Sequence, residues 1–74
     1  MLLKSAVIRE DPEILGGTPV FLGTRVPVRS LFDYLEAGET LDEFLHQFPS
    51  VERERALAAL ELARELLLNG AGPA

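Results

Sequence analysis

Four arginines carry most of the chemistry this sequence can offer. Arg53 and Arg55 alternate with Glu52 and Glu54, while Arg29 and Arg64 stand further along the chain on either side. A guanidinium can grip a phosphate or read the edge of a guanine, whereas the two glutamates would repel a phosphate backbone. The same alternation also reads as a solvated helical turn with local ion pairs. A fifth arginine, Arg25, follows Thr24 in a stretch rich in glycine and proline, and its planar fork suits a carboxylate or a phosphate. Its structural reading is an anchor that pairs with Asp11, Asp33 or Glu36, with Thr24 stabilising the turn and Gly23 supplying its backbone conformation.

Nothing else in the chain assembles into a catalytic set. His46 is the only histidine, and Asp42 lies four residues before it on the same helical face, but two ligands do not make a competent metal site. A solvated contact between them is the simpler expectation. Ser5, Ser30 and Ser50 have no neighbouring base in a recognisable arrangement, and Gly16-Gly17 lacks the spacing and the lysine of a phosphate-binding loop. There is no cysteine, which removes disulfides, thiolate chemistry and cysteine-based zinc sites. No enzyme, metal or cofactor is expected.

Composition bounds the partner. The 74 residues make one domain, and a chain of this size buries only about 60% of the surface its unfolded form exposes, so a second molecule is expected to add burial. Hydrophobic residues make up 47%, yet no run is long enough to span a bilayer and no basic-then-apolar leader is visible, so the expected location is the cytoplasm with no membrane contact. The net charge of −5 weighs against sequence-independent binding of nucleic acid, and suits a basic protein better.

The elements that must position these residues follow from periodicity. Ala6-Val7-Ile8 and Val20-Phe21-Leu22 are short apolar runs separated by Asp11-Pro12 and Gly16-Gly17, which predicts a β segment over about residues 5–26 with two paired strands. Gly16 to Val28 holds three glycines and two prolines in thirteen positions, a junction from extended chain to helix whose motif is Gly23, Thr24, Arg25 and Pro27. Val28, Leu31, Phe32 and Leu35 then step at helical spacing, with Pro27 in the first turn and Gly38 as the stop, giving a helix over about 27–37.

Thr40 and Glu43 form a capping box for a second helix over about 41–48, carrying Leu41, Phe44, Leu45 and Phe48 inward and ended by Pro49. A third helix is predicted over about 51–68, with Ser50 as N-cap and a tail from 69 to 74. Its apolar residues exceed one stripe. Leu57, Leu60, Leu67 and Leu68 group on one side, Leu62 and Leu66 on another, and Ala56, Ala59 and Ala63 form a ridge of small residues between them. Leu62, Leu66, Ala59 and Ala63 are therefore the expected contact between two copies.

The order Asp11-Pro12, Gly17-Thr18-Pro19-Val20, Gly23-Thr24-Arg25-Val26-Pro27-Val28, Leu35, Gly38, Phe48-Pro49 and Ala59-Leu60 resembles the domain-of-unknown-function family numbered 433 over residues 5 to 67. The Gly-Thr-Arg-x-Pro-Val core is the most specific part of the likeness. The resemblance implies a mainly α, three-helix, helix-turn-helix-like domain with a short N-terminal β segment. It also implies a predicted antitoxin of a type II toxin-antitoxin system, paired with a nuclease-like toxin of the PIN type. Glu52 departs from a threonine common in the family, and Leu62 from an aromatic residue.

Two functions remain open at this point. One is an antitoxin-like homo-oligomer, a dimer in the simplest case, that binds a toxin through its acidic surface and its operator DNA through Arg53 and Arg55, with Arg29 or Arg64 as further contacts. The other is a homo-oligomeric protein-interaction module with no nucleic-acid role.

Overall fold

The computed structural model describes residues 4–70. Its elements are β1 (Ile8–Arg9), β2 (Val20–Phe21), α1 (Val28–Glu36), α2 (Leu41–Gln47) and α3 (Arg53–Glu65). Single 3-10 turns occupy Lys4–Ala6 and Leu15–Gly17, and a wider π turn, Leu66–Gly70, continues α3. The domain is mainly helical, with three helices and a two-stranded antiparallel sheet at its N-terminal end. Among the described residues no helix is long and apolar enough to cross a membrane.

Strands of two residues have little stability of their own in water. These persist because β2 is bonded on both sides. Ile8 faces Phe21 and Arg9 faces Val20 across the sheet, and the Leu22 amide donates to the Val7 carbonyl at 2.9 Å. On the other side the chain returns along β2, so that the Phe21 amide donates to Val26 and the Val28 amide to Pro19, both at 3.0 Å. Pro27 is thereby held extended opposite Val20, and it flanks the first turn of α1 as N-cap instead of entering it. A proline suits this place because it has no amide to leave unpaired.

Both ends of the α1–α2 connection are chemically specified. Gly38 adopts φ +90°, a left-handed conformation that side chains with a Cβ disfavour. Its amide donates to Leu35 at 3.1 Å and the Glu39 amide to Tyr34 at 2.9 Å, the paired bonds of a Schellman motif. Thr40 follows at once, its hydroxyl accepting from the Glu43 amide at 3.1 Å. Only this half of the expected capping box forms among the described residues. The Glu43 side chain instead lines the groove between α1 and α2 with Asp33, Tyr34 and Glu39.

The start and end of the third helix differ from the sequence expectation. Ser50 does not cap it. Val51 is drawn into the core, and Glu52 becomes the N-cap residue with no side-chain bond, its carbonyl accepting from the amides of Arg55 and Ala56 at 3.0 and 3.1 Å. Regular α-helix stops at Glu65, not Leu68, and Asn69 belongs to the π turn while residues 71–74 of the expected tail lie outside the described residues.

The core joins Val7, Phe21, Leu31, Phe44, Val51, Ala56 and Ala59. Phe44 is fully buried at its centre, with ring centroids 6.0 Å from Phe21, 5.6 Å from Tyr34 and 5.0 Å from Phe48. Tyr34 meets it edge-on, an arrangement that the ring quadrupoles favour. Phe44→Ala removes contacts from β2, α1 and α2 together and should cost about 3–5 kcal/mol, close to the whole stability of a domain this small. Urea unfolding followed by circular dichroism should then show no cooperative transition for this variant at 37 °C.

Candidate functional site

The arginines of α3 are engaged within the chain. Arg53 bonds the Asp42 carboxylate on the first turn of α2. Asp42 therefore serves Arg53 and not His46. Arg55 lies 3.9 Å from the Glu52 carboxylate and reaches back to the Leu22 carbonyl at 3.5 Å, with 29% of its side chain exposed. Arg64 pairs with Glu61 at 3.5 Å, one helical turn away. Arg29 sits apart from these, at the rim of a groove lined by Ile8, Thr18, Pro19, Val28 and Phe32. Three of the four arginines thus each have a carboxylate within 4.0 Å that offsets their charge.

The turn between Phe21 and Arg25 is built by Thr24. Its amide and its hydroxyl both donate to the Phe21 carbonyl at 2.9 Å, and the hydroxyl accepts from the Val26 amide at 3.1 Å. Gly23, at φ +80°, takes the left-handed third position that such a tight turn needs. Arg25 itself is exposed, and among the described residues no carboxylate lies within 4.0 Å of it. None of the expected pairs with Asp11, Asp33 or Glu36 is made, because the turn is already locked by its own backbone and by Thr24, and Asp11 is held by Arg9 at 3.0 Å.

Arg25 instead borders a cleft of about 490 Å³ with Arg9, Ile14, Gly23, Thr24 and Ser50. Arg9 carries no signal in the sequence beyond its alternation with Ile8. Strand pairing of Arg9 with Val20 is what sets it beside the turn.

The apolar surface is distributed differently from the helical projection. Ala59 is only 6% exposed and belongs to the core, so it is not available to a second copy. Leu62 packs against that core and Ala63 is half-buried, which leaves Leu66 alone of the four expected contact residues fully on the surface. Leu66, Leu67 and Leu68 are 60%, 74% and 65% exposed, and Leu57 is exposed one side further back along α3. The buried and packed positions of α3 end at Leu62, and Leu66–Leu68 follow in the π turn beyond the end of the core.

A family model described as "Protein of unknown function (DUF433)" matches residues 8–63. The chain is 38% identical over 64 residues to the uncharacterized protein y4eO of Sinorhizobium fredii (strain NBRC 101917 / NGR234), an alignment that covers 86% of this chain and 29% of that protein. It thus spans under a third of that relative's length. A crystal structure of a DUF433 member protein from Anabaena variabilis ATCC 29413 superposes with a TM-score of 0.70 at 28% identity, covering 81% of this chain and 59% of the other. The Arg9–Arg25 cleft lies wholly inside the matched residues, and Leu66–Leu68 lie beyond them.

Thr24→Val keeps the volume of the side chain but loses its hydrogen bonds. It should lower stability by about 1–3 kcal/mol, whereas Thr24→Ser, which keeps both bonds, should cost less than half as much. Urea midpoints of the two variants check this.

Proposed function

The chain belongs to the DUF433 family, and from that premise we propose that it is an antitoxin-like regulator that works by protein contact, as a homodimer that holds a nuclease-like toxin. The observation that carries this reading is the run Leu66–Leu68 on the surface at the end of α3. Three consecutive large apolar side chains left to water in a domain this small form a surface with a use for a partner. A second copy supplies identical apolar surface, and symmetric pairing of helix ends is the simplest way to cover it.

The acidic side supports the second half of the reading. Asp33, Glu39 and Glu43 line one groove between α1 and α2, a surface suited to a basic protein. Sedimentation velocity at high micromolar concentration should give a dimer. Leu66→Glu with Leu67→Glu should raise its dissociation constant by about tenfold or more, given about 1.5–3 kcal/mol for burying each leucine. A strictly monomeric wild type would overturn the dimer. Co-purification with the product of an adjacent gene encoding a small nuclease tests the toxin.

Operator DNA is the secondary part of the proposal, supported by the α2–α3 helix pair and by Arg29 and Arg53 at the surface. It ranks below protein contact because Arg53, Arg55 and Arg64 are each paired with a carboxylate. If DNA is bound, Arg29→Ala should weaken it, and Arg53→Ala with Arg55→Ala should weaken it further and flatten its salt dependence by up to about two phosphate contacts. Mobility-shift titrations of the upstream promoter at two salt concentrations provide the measurement, and unchanged binding in all three substitutions would remove these residues from any DNA contact.

A further inference from the structure

Arg25 is displayed with unusual care for a residue that pairs with no carboxylate among the described residues. Thr24 fixes the turn before it with three hydrogen bonds in all, two of them through the hydroxyl, and Gly23 takes the one backbone conformation the turn requires. Rigidity of this kind lowers the cost of ordering a side chain when a ligand arrives. Two further guanidiniums stand close by. Arg9 lines the same cleft from β1, and Arg55 reaches the Leu22 carbonyl in the turn itself. Ser50 lines the cleft from the α2–α3 connection.

The carboxylates paired with these arginines are Asp11 on Arg9 and Glu52 on Arg55. Of the two arginines that line the cleft, Arg9 is paired with Asp11, while Arg25 has no carboxylate within 4.0 Å among the described residues, which leaves one unpaired positive charge there in a chain whose net charge is −5. Arg25 is the arginine that carries it.

We propose that the Arg9–Arg25–Ser50 cleft is a binding site for a single carboxylate, an aspartate or glutamate side chain of a partner protein, gripped by Arg25. One surplus charge matches a monoanion. A duplex needs several neutralised phosphates, about 6–10 in strong complexes, and this cleft offers one free guanidinium. Asp11, bonded to the Arg9 that lines the cleft, opposes a dianionic phosphate more strongly than a singly charged carboxylate. The guanidinium fork accepts a carboxylate through two parallel bonds, and the serine hydroxyl can donate a third. This site rests on the reading of a partner-binding protein but uses a different surface, since none of Leu66–Leu68 lines it.

The test is a titration of the full chain, at fixed ionic strength, with a blocked tripeptide bearing a central glutamate and separately with inorganic phosphate, followed in ¹⁵N–¹H spectra. The peptide should produce saturable shifts at the Arg25 side-chain Nε–H and at the Gly23 and Thr24 amides. Arg25→Gln should weaken binding about tenfold or more, and Arg25→Lys, which keeps the charge but loses the fork, should fall between the two. Thermal midpoints should not change in either variant, because Arg25 is exposed and makes no ion pair among the described residues. The Leu66→Glu, Leu67→Glu chain should bind the peptide as the wild type does, and a wild type that is monomeric yet binds the peptide would overturn only the dimer. Absence of saturable shifts, wild-type binding by Arg25→Gln, or tighter binding of phosphate than of the peptide would each overturn the carboxylate site.

Discussion

The burial of Phe44 is the constraint on which the rest of the molecule depends. One ring brings β2, α1 and the end of α2 together through Phe21, Tyr34 and Phe48. α3 contributes Ala56 and Ala59 to the same core as its buried residues. Small residues let the helix approach closely. Their use at the centre pushes the leucines of α3 to the rim, where Leu60 and Leu62 find cover, or past it, where Leu66–Leu68 do not. The exposed leucines are thus a product of how the core is filled.

Much of the fold was legible because the residues that set it act locally. Gly38 and Thr40 announce a helix end and a helix start through bonds to neighbours within five residues, and the structure makes those bonds. The strands were legible as apolar runs between turns, and the family resemblance as a string of punctuation residues. Misreadings arose where the deciding partner was distant. Ser50 has the chemistry of a cap, but Val51 beside it is needed by the core, and satisfying Val51 starts the helix later. Arg25 has the chemistry of an anchor, yet Asp11 was already taken by Arg9, two residues away. For the leucines, angular projection groups residues by face but does not show where along α3 the core ends, and it ends before Leu66.

The candidate site was only partly readable for the same reason. Composition reports a surplus of acid over the whole chain and says nothing of where it is concentrated. Folding sorts the charge. Ion pairs between exposed side chains contribute little stability, about 0–1 kcal/mol each, so their main effect here is to cancel field locally. Asp42, Glu52 and Glu61 quiet Arg53, Arg55 and Arg64, while Arg25 is left without such a partner among the described residues. A list of arginines cannot distinguish these conditions, because the difference lies in which carboxylate each meets in three dimensions.

The connection between α1 and α2 has a mechanical consequence. Gly38, Glu39 and Thr40 are spent on finishing one helix and beginning the next, with their amides or side chain tied to Leu35, Tyr34 and Glu43. No residue in that joint is spare, so the two helices form a rigid elbow that can neither lengthen nor bend without breaking a cap. α3 is attached otherwise, by the burial of Val51 and the Arg53–Asp42 pair, since its N-cap residue Glu52 makes no side-chain capping bond. An insertion at Gly38–Thr40 would therefore break a cap, whereas one at Pro49–Glu52 would displace Val51 from the core, so neither joint tolerates a change of length.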